Sequence, residues 1–209
     1  MTTPRAPDAH GRPVHMRQRV AAVFTVSLVL LGCAKEGRFS TTTPDPRHAP
    51  AFSEFMKTQQ VHVDLSTPPT RERVGMGPVV NAVIIERTAT EMLDVNFTLP
   101  GGKRLHVPAF GVVFSTDYAD PDTAPPRQII INRRVSDPDA ARDALAADAA
   151  ALGLPAADVD RWYTRAKVPT DGPDNDRLSN PMKIGYLTVV IATSHNSERQ
   201  VLLTYSLEW

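Results

Sequence analysis

From residue 61 onward the hydrophobic positions alternate with polar ones, then recur at helical spacing, then alternate again. "VHVDLS" (61–66) has the period of two that a half-buried strand shows, and Pro68-Pro69 ends it. "PVVNAVIIERT" (78–88) is rich in β-branched residues and predicts a second strand. "MLDVNFTL" (92–99) places Leu93, Val95, Phe97 and Leu99 on one face. Pro100-Gly101-Gly102 is a turn signal, and "KRLHVPAFGVVFSTD" (103–117) returns as one strand with Pro108 and Gly111 inside it. A proline within a strand points to an edge or a bulge. The stretch 91–115 therefore predicts a hairpin, and "RQIIINRRV" (127–135) a further strand.

The period then changes. Asp137 followed by Pro138 predicts an N-cap with proline at the first helical position. Ala141, Leu145, Asp148/Ala149 and Leu152 recur at helical spacing up to Gly153. A second helix begins at Pro155, with Val159, Trp162, Tyr163 and Ala166 as its stripe, and ends before Pro169. "MKIGYLTVVIATS" (182–194) and "QVLLTYSLEW" (200–209) predict a closing hairpin, its last aromatic packed on the helices. The expected fold is α+β: a mostly antiparallel sheet of about six or seven strands, with a helical hairpin (about 137–167) on one face. No internal repeat is present.

The first 51 residues read differently. Val20 to Gly32 is apolar apart from Thr25 and Ser27. It is far short of the ~20 residues a membrane-spanning helix needs, but it suits the apolar region of a secretory signal, with Arg17 and Arg19 before it. The run ends in Leu30-Leu31-Gly32-Cys33, the chain's one cysteine. This resembles the lipobox of bacterial lipoproteins: Leu30, Gly32 and Cys33 match, while Leu31 stands where a smaller residue is usual. The resemblance implies a diacylglycerol thioether on Cys33, cleavage before it and acylation of the new amino terminus. It covers residues 16 to 33 and says nothing of the folded domain, for which no family is recognised. Two or more acyl chains are what stable anchoring takes.

Residues 1–32 are thus expected to be a signal peptide, with Met16 as the expected true start. Residues 33–51 form a lipidated tether, rich in Pro and Thr, which buries too little surface to order itself. Residues 52–209 form a single globular domain, on the outer face of the cell membrane.

Charge changes the picture only by exclusion. The whole chain balances 23 Lys and Arg against 23 Asp and Glu. The signal segment holds Arg5, Arg12, Arg17 and Arg19 against Asp8, a net of +3, which leaves the mature part at −3. With no basic block, nucleic acid is not an expected partner. Scarce lysine beside abundant Arg, Ala, Pro and Asp is a high-GC coding bias of the kind seen in actinobacteria.

Candidate chemistry is sparse. Asp117, Asp120 and Asp122 cluster in one loop, and Asp171, Asp174 and Asp176 in another. Neither follows the register of a calcium loop, and turn chemistry explains both. His62 and Asp64 share a strand face; with His106 or His195 they would make a two-histidine, one-aspartate site. Nothing in the spacing brings the distant histidines together, so scattered surface histidines are the expectation. G-x-S-x-G, S-x-x-K and a phosphate-binding glycine loop do not occur. No metal and no cofactor are expected. Trp162 and Tyr163, in the second helix, mark where an apolar ligand pocket would open.

The expectation is a membrane-anchored envelope lipoprotein that binds a protein, or an apolar or glycan ligand, without catalysis. The alternatives are a structural or assembly factor for an envelope complex, and an envelope hydrolase using the carboxylates of Asp117, Asp120 and Asp122.

Overall fold

The computed structural model describes residues 49–78, 80–87, 91–116, 124–167, 175–195 and 200–209. All of these fall within one compact unit, Thr43–Trp209. Cys33, Asp117, Asp120, Asp122, Asp171 and Asp174 lie outside the described residues.

Helix α1 (Pro50–Thr58) has proline in its first turn and buries Phe55. It begins inside the stretch read as tether. Phe52, Phe55 and Met56 give it an i, i+3, i+4 stripe too short to stand out from sequence, and the Phe55 ring stacks 6.4 Å from Phe114. Strands β1 (Gln60–Asp64), β3 (Leu93–Thr98) and β4 (Arg104–Ala109) form a three-stranded sheet in the order β1-β3-β4, with β1 parallel to β3. The β3–β4 hairpin turns on Pro100 and Gly101, with φ of 81° at Gly101 and the Gly102 N–H donating to Leu99 O at 3.0 Å. That is a type II turn, which needs glycine at its second central position.

Strands β2 (Ala82–Glu86), β5 (Gly111–Thr116), β6 (Pro126–Val135), β7 (Asn175–Arg177), β8 (Met182–Ile184), β9 (Leu187–His195) and β10 (Val201–Glu208) form a seven-stranded antiparallel sheet. Its path is β2-β5-β6-β10-β9-β7, and β8 also pairs with β9. The α+β class is as expected, and the closing hairpin is present, with Val201 opposite His195 through Glu208 opposite Thr188.

The strands divide between two sheets rather than one. The stretch 103–117 is two strands: among the described residues β4 pairs only with β3, and after Phe110 the chain enters the larger sheet as β5, which is buried along its whole length. Pro108 sits on β4, an edge strand, where a missing N–H costs no ladder bond. The stretch 182–194 is likewise two strands, folded back at Gly185-Tyr186. Gly185, at φ 59°, takes the first central position of the two-residue turn, as a type II′ turn demands. Trp209 packs edge-on against Tyr186, ring centroids 6.4 Å apart.

Helix α2 (Pro138–Leu152) starts as the sequence predicts: the Asp137 side chain accepts from the Ala140 N–H, and Gly153 closes the helix in the left-handed region. Such a cap is worth about 1 kcal/mol. Helix α3 (Ala156–Ala166) pairs with α2, and α2 lies against β4, β6 and β10. The apolar faces of both sheets and the helices meet in a single hydrophobic core that includes Phe97, Phe114, Trp162 and Tyr205. Among the described residues no helix is long and apolar enough to cross a membrane.

Candidate functional site

The three-stranded sheet keeps one face for the core and one for solvent. Val61, Val63, Val95, Phe97, Leu105 and Val107 point inward and are buried. Because strand side chains alternate, His62, Asp64, Asp94, Asn96, Thr98, Arg104 and His106 share the opposite face. Register sets them in rows: His62 opposite Asn96 opposite His106, then Asp64 opposite Thr98 opposite Arg104. Together with Val63 and Phe97, these residues apart from His106 line a groove of about 520 Å³.

A hydrogen-bond chain crosses this face. Asn96 Nδ2 donates to Asp94 Oδ1 at 2.8 Å and lies 3.1 Å from His62 Nε2. His106 Nε2 lies 2.8 Å from the same Asp94 oxygen. An amide N–H₂ only donates, so in this arrangement His62 Nε2 accepts and its proton sits on Nδ1. Both imidazoles thus lean from the outer strands toward β3. The His106 and Asp94 side chains are 60% and 43% exposed, so their attraction is weakened by solvent and holds them only loosely. The Ser66 N–H donates to Asp64 Oδ1 at 2.8 Å, and this hydrogen bond is the main cause that draws the Asp64 carboxyl below its ordinary value. Among the described residues the Arg104 guanidinium makes no hydrogen bond or ion pair. Also among them, no three His, Cys, Asp or Glu side chains form a group that could hold a metal ion.

The structure therefore brings His106 onto the face that His62 and Asp64 share, which sequence spacing alone did not do. It separates them from His195, which lies on β9 in the other sheet, its ring 6.5 Å from Trp162 and nearly parallel to it. Asp94, Asn96, Thr98 and Arg104 escaped sequence reasoning. Their signal was present as D-x-N-x-T on β3 and R-x-H on β4, polar positions of strands read only for their apolar face.

Trp162 is 1% exposed, and its indole N–H donates to Thr193 Oγ1 at 2.8 Å. Its polar atom is spent and its ring is core. Tyr163 lies at the rim of the helical layer. Its hydroxyl donates to Asp139, and Arg142 and Lys167 stand over its ring at 4.7 and 4.2 Å. The groove lies on the three-stranded sheet, and neither aromatic lines it.

A second polar cluster is buried where α2 crosses the large sheet. Tyr205 Oη donates to Asp148 Oδ2 at 2.6 Å, and an Arg133 guanidinium nitrogen lies 3.6 Å from the same oxygen. Burial outweighs these partners and raises the Asp148 carboxyl above its ordinary value; burial, then the Asp148 charge, pushes the Tyr205 hydroxyl well up. Asp148 and Tyr205 are buried and Arg133 only partly so, an arrangement that fits a brace between helix and sheet.

The fold and this face define a two-sheet α+β domain with an open, polar, histidine-bearing groove. Comparison with protein-family models, with curated proteins and with solved structures gives no match.

Proposed function

We propose that the chain is a lipid-anchored lipoprotein of the cell envelope, exported and held by Cys33, whose folded domain works by binding rather than by catalysis. Its ligand face is the polar face of the three-stranded sheet, and its ligand is hydroxyl-rich, as a cell-envelope glycan is. The observation that carries the reading is the groove: about 520 Å³, within the ~300–1,000 Å³ range of small-ligand sites. It is lined by a guanidinium, carboxylates, an amide, an imidazole and a hydroxyl. Arg104 and Thr98, directly opposite one another, present donors to a ligand, and the second oxygen of Asp64 presents an acceptor. Planar polar groups of this kind suit sugar hydroxyls better than an apolar guest. The anchor is supported by Arg17 and Arg19, the apolar run and Gly32-Cys33.

Two measurements test the two halves. Native mass spectrometry of the protein extracted from its own host's envelope is expected to show a chain beginning at an acylated Cys33; an intact Met1 or Met16 sinks the anchor. Titration with soluble cell-wall glycan fragments is expected to show binding that drops at least tenfold in Arg104→Ala and in Asp64→Ala. Binding unchanged in both variants rules out the groove.

A further inference from the structure

We propose that the ligand of this groove is an acidic glycan, and that Arg104 binds its carboxylate. The inference rests on the glycan reading above and narrows it from hydroxyl-rich ligands at large to those that carry carboxyl groups.

The charged groups of the face are not equally committed. Asp94 Oδ1 is met by Asn96 Nδ2 and by His106 Nε2, each at 2.8 Å. Asp64 Oδ1 takes the Ser66 N–H at 2.8 Å, and the Arg73 charge acts on the same carboxylate. Arg104 lines the groove with both acids, yet among the described residues its guanidinium meets no acceptor. The acids of the face are satisfied by other partners, and the guanidinium keeps its charge and its donors unspent. A guanidinium carries five N–H donors in a planar fork that meets a carboxylate two bonds at a time. Sugar hydroxyls alone would use those donors and leave the charge unmatched.

Position keeps the two carboxylates out of the way of such an anion. Asp64, Thr98 and Arg104 form one row, so Asp64 and Arg104 stand two strand spacings apart at the backbone, about 9.6 Å. Asp94 precedes Thr98 by two pleats on the same face of β3, about 13 Å along the strand. Both separations exceed the ~8 Å Debye length of physiological salt, so an anion on Arg104 meets little repulsion from either acid. Thr98, directly opposite Arg104, supplies a hydroxyl that donates to the same anion. Hydroxyls on the rest of the ligand reach across the row to Asp64, whose carboxylate only accepts. One guanidinium and one hydroxyl balance a single negative charge, which suits a carboxylate better than a doubly charged phosphate.

The test uses the full chain and soluble, carboxyl-bearing cell-wall glycan fragments, as isolated and after methyl esterification, titrated by calorimetry. The esters keep every hydroxyl and lose the charge. The acidic fragments are expected to bind at least tenfold tighter than their esters at low salt. That advantage is expected to shrink as salt rises and to vanish in Arg104→Gln, which keeps hydrogen-bond donors without the charge. The wild-type comparison of acid with ester needs no variant to fold. Acid and ester binding alike in the wild type, or an acid preference that survives Arg104→Gln, overturns the inference and leaves the glycan reading standing. No binding of either form by the wild type overturns both.

Discussion

Two clusters in this domain use the same chemical vocabulary to opposite ends. Under α2, Asp148 and Tyr205 are shut inside the core, Asp148 being 4% exposed, and the Asp148 carboxylate is committed to the Tyr205 hydroxyl and to the part-buried Arg133 guanidinium. On the three-stranded sheet, Asp94, His106, Asn96 and His62 make a comparable chain, but exposed to water and flanked by Arg104 and Thr98 with donors to spare. The first arrangement acts on stability, since a buried polar group without its partner costs about 1–3 kcal/mol. The second contributes little to folding, because water replaces any partner that is removed. Burial, and not residue type, separates the polar group that braces from the polar group that binds.

The largest expected effects lie on the buried side. Trp162→Ala removes a fully buried indole and leaves a cavity beside Thr193 and His195, and is expected to lower unfolding free energy by about 3–5 kcal/mol, measured by urea denaturation. Asp148→Ala strands the Tyr205 hydroxyl and the Arg133 guanidinium, at an expected cost of about 2–3 kcal/mol. Asp148→Asn keeps an acceptor for Tyr205 and removes the charge, so it separates hydrogen bond from ionisation. Burial raises the folded-state value of Asp148 above its unfolded value. Its stabilising contribution is therefore complete below the unfolded value, about 3.9, and is lost as pH rises through the raised folded value. Relative to wild type, Asp148→Asn is expected to gain stability between pH 4 and pH 7. A difference that stays flat or falls over that interval contradicts an uncompensated buried carboxylate.

The same contrast explains what was legible in the sequence. Periodicity revealed β1, β3, β6, β10 and both helices of the hairpin, because one face of each is committed to the core. The N-cap Asp137 with Pro138, and the Gly153 stop, were readable because capping is local. The split of 103–117 into two sheets was not, since Phe110 alone separates β4 from β5 and only long-range pairing tells them apart. Helix α1 was hidden by its length; nine residues give little more than two turns of pattern, and a helix so short is held by packing rather than propensity. The site was half legible. His62 and Asp64 declared a shared face by their spacing, but bringing His106 beside them takes the register of β1 on β3 and β3 on β4, which no local signal encodes.

The smallest expected effect is the most pointed. His106→Ala removes the ion pair with Asp94, and Arg104→Ala removes a side chain with no partner among the described residues. Exposed pairs contribute about 0–1 kcal/mol and less as salt rises. Both variants are therefore expected to unfold within about 0.5 kcal/mol of wild type, at low and at high salt, by the same denaturation curves that register several kcal/mol for Trp162→Ala. The groove is then a face the fold does not need, and its His, Asp, Asn and Arg side chains stand in rows for a reason other than folding. A loss of 2 kcal/mol or more in either variant makes those rows part of the scaffold, and erases the distinction between the two clusters.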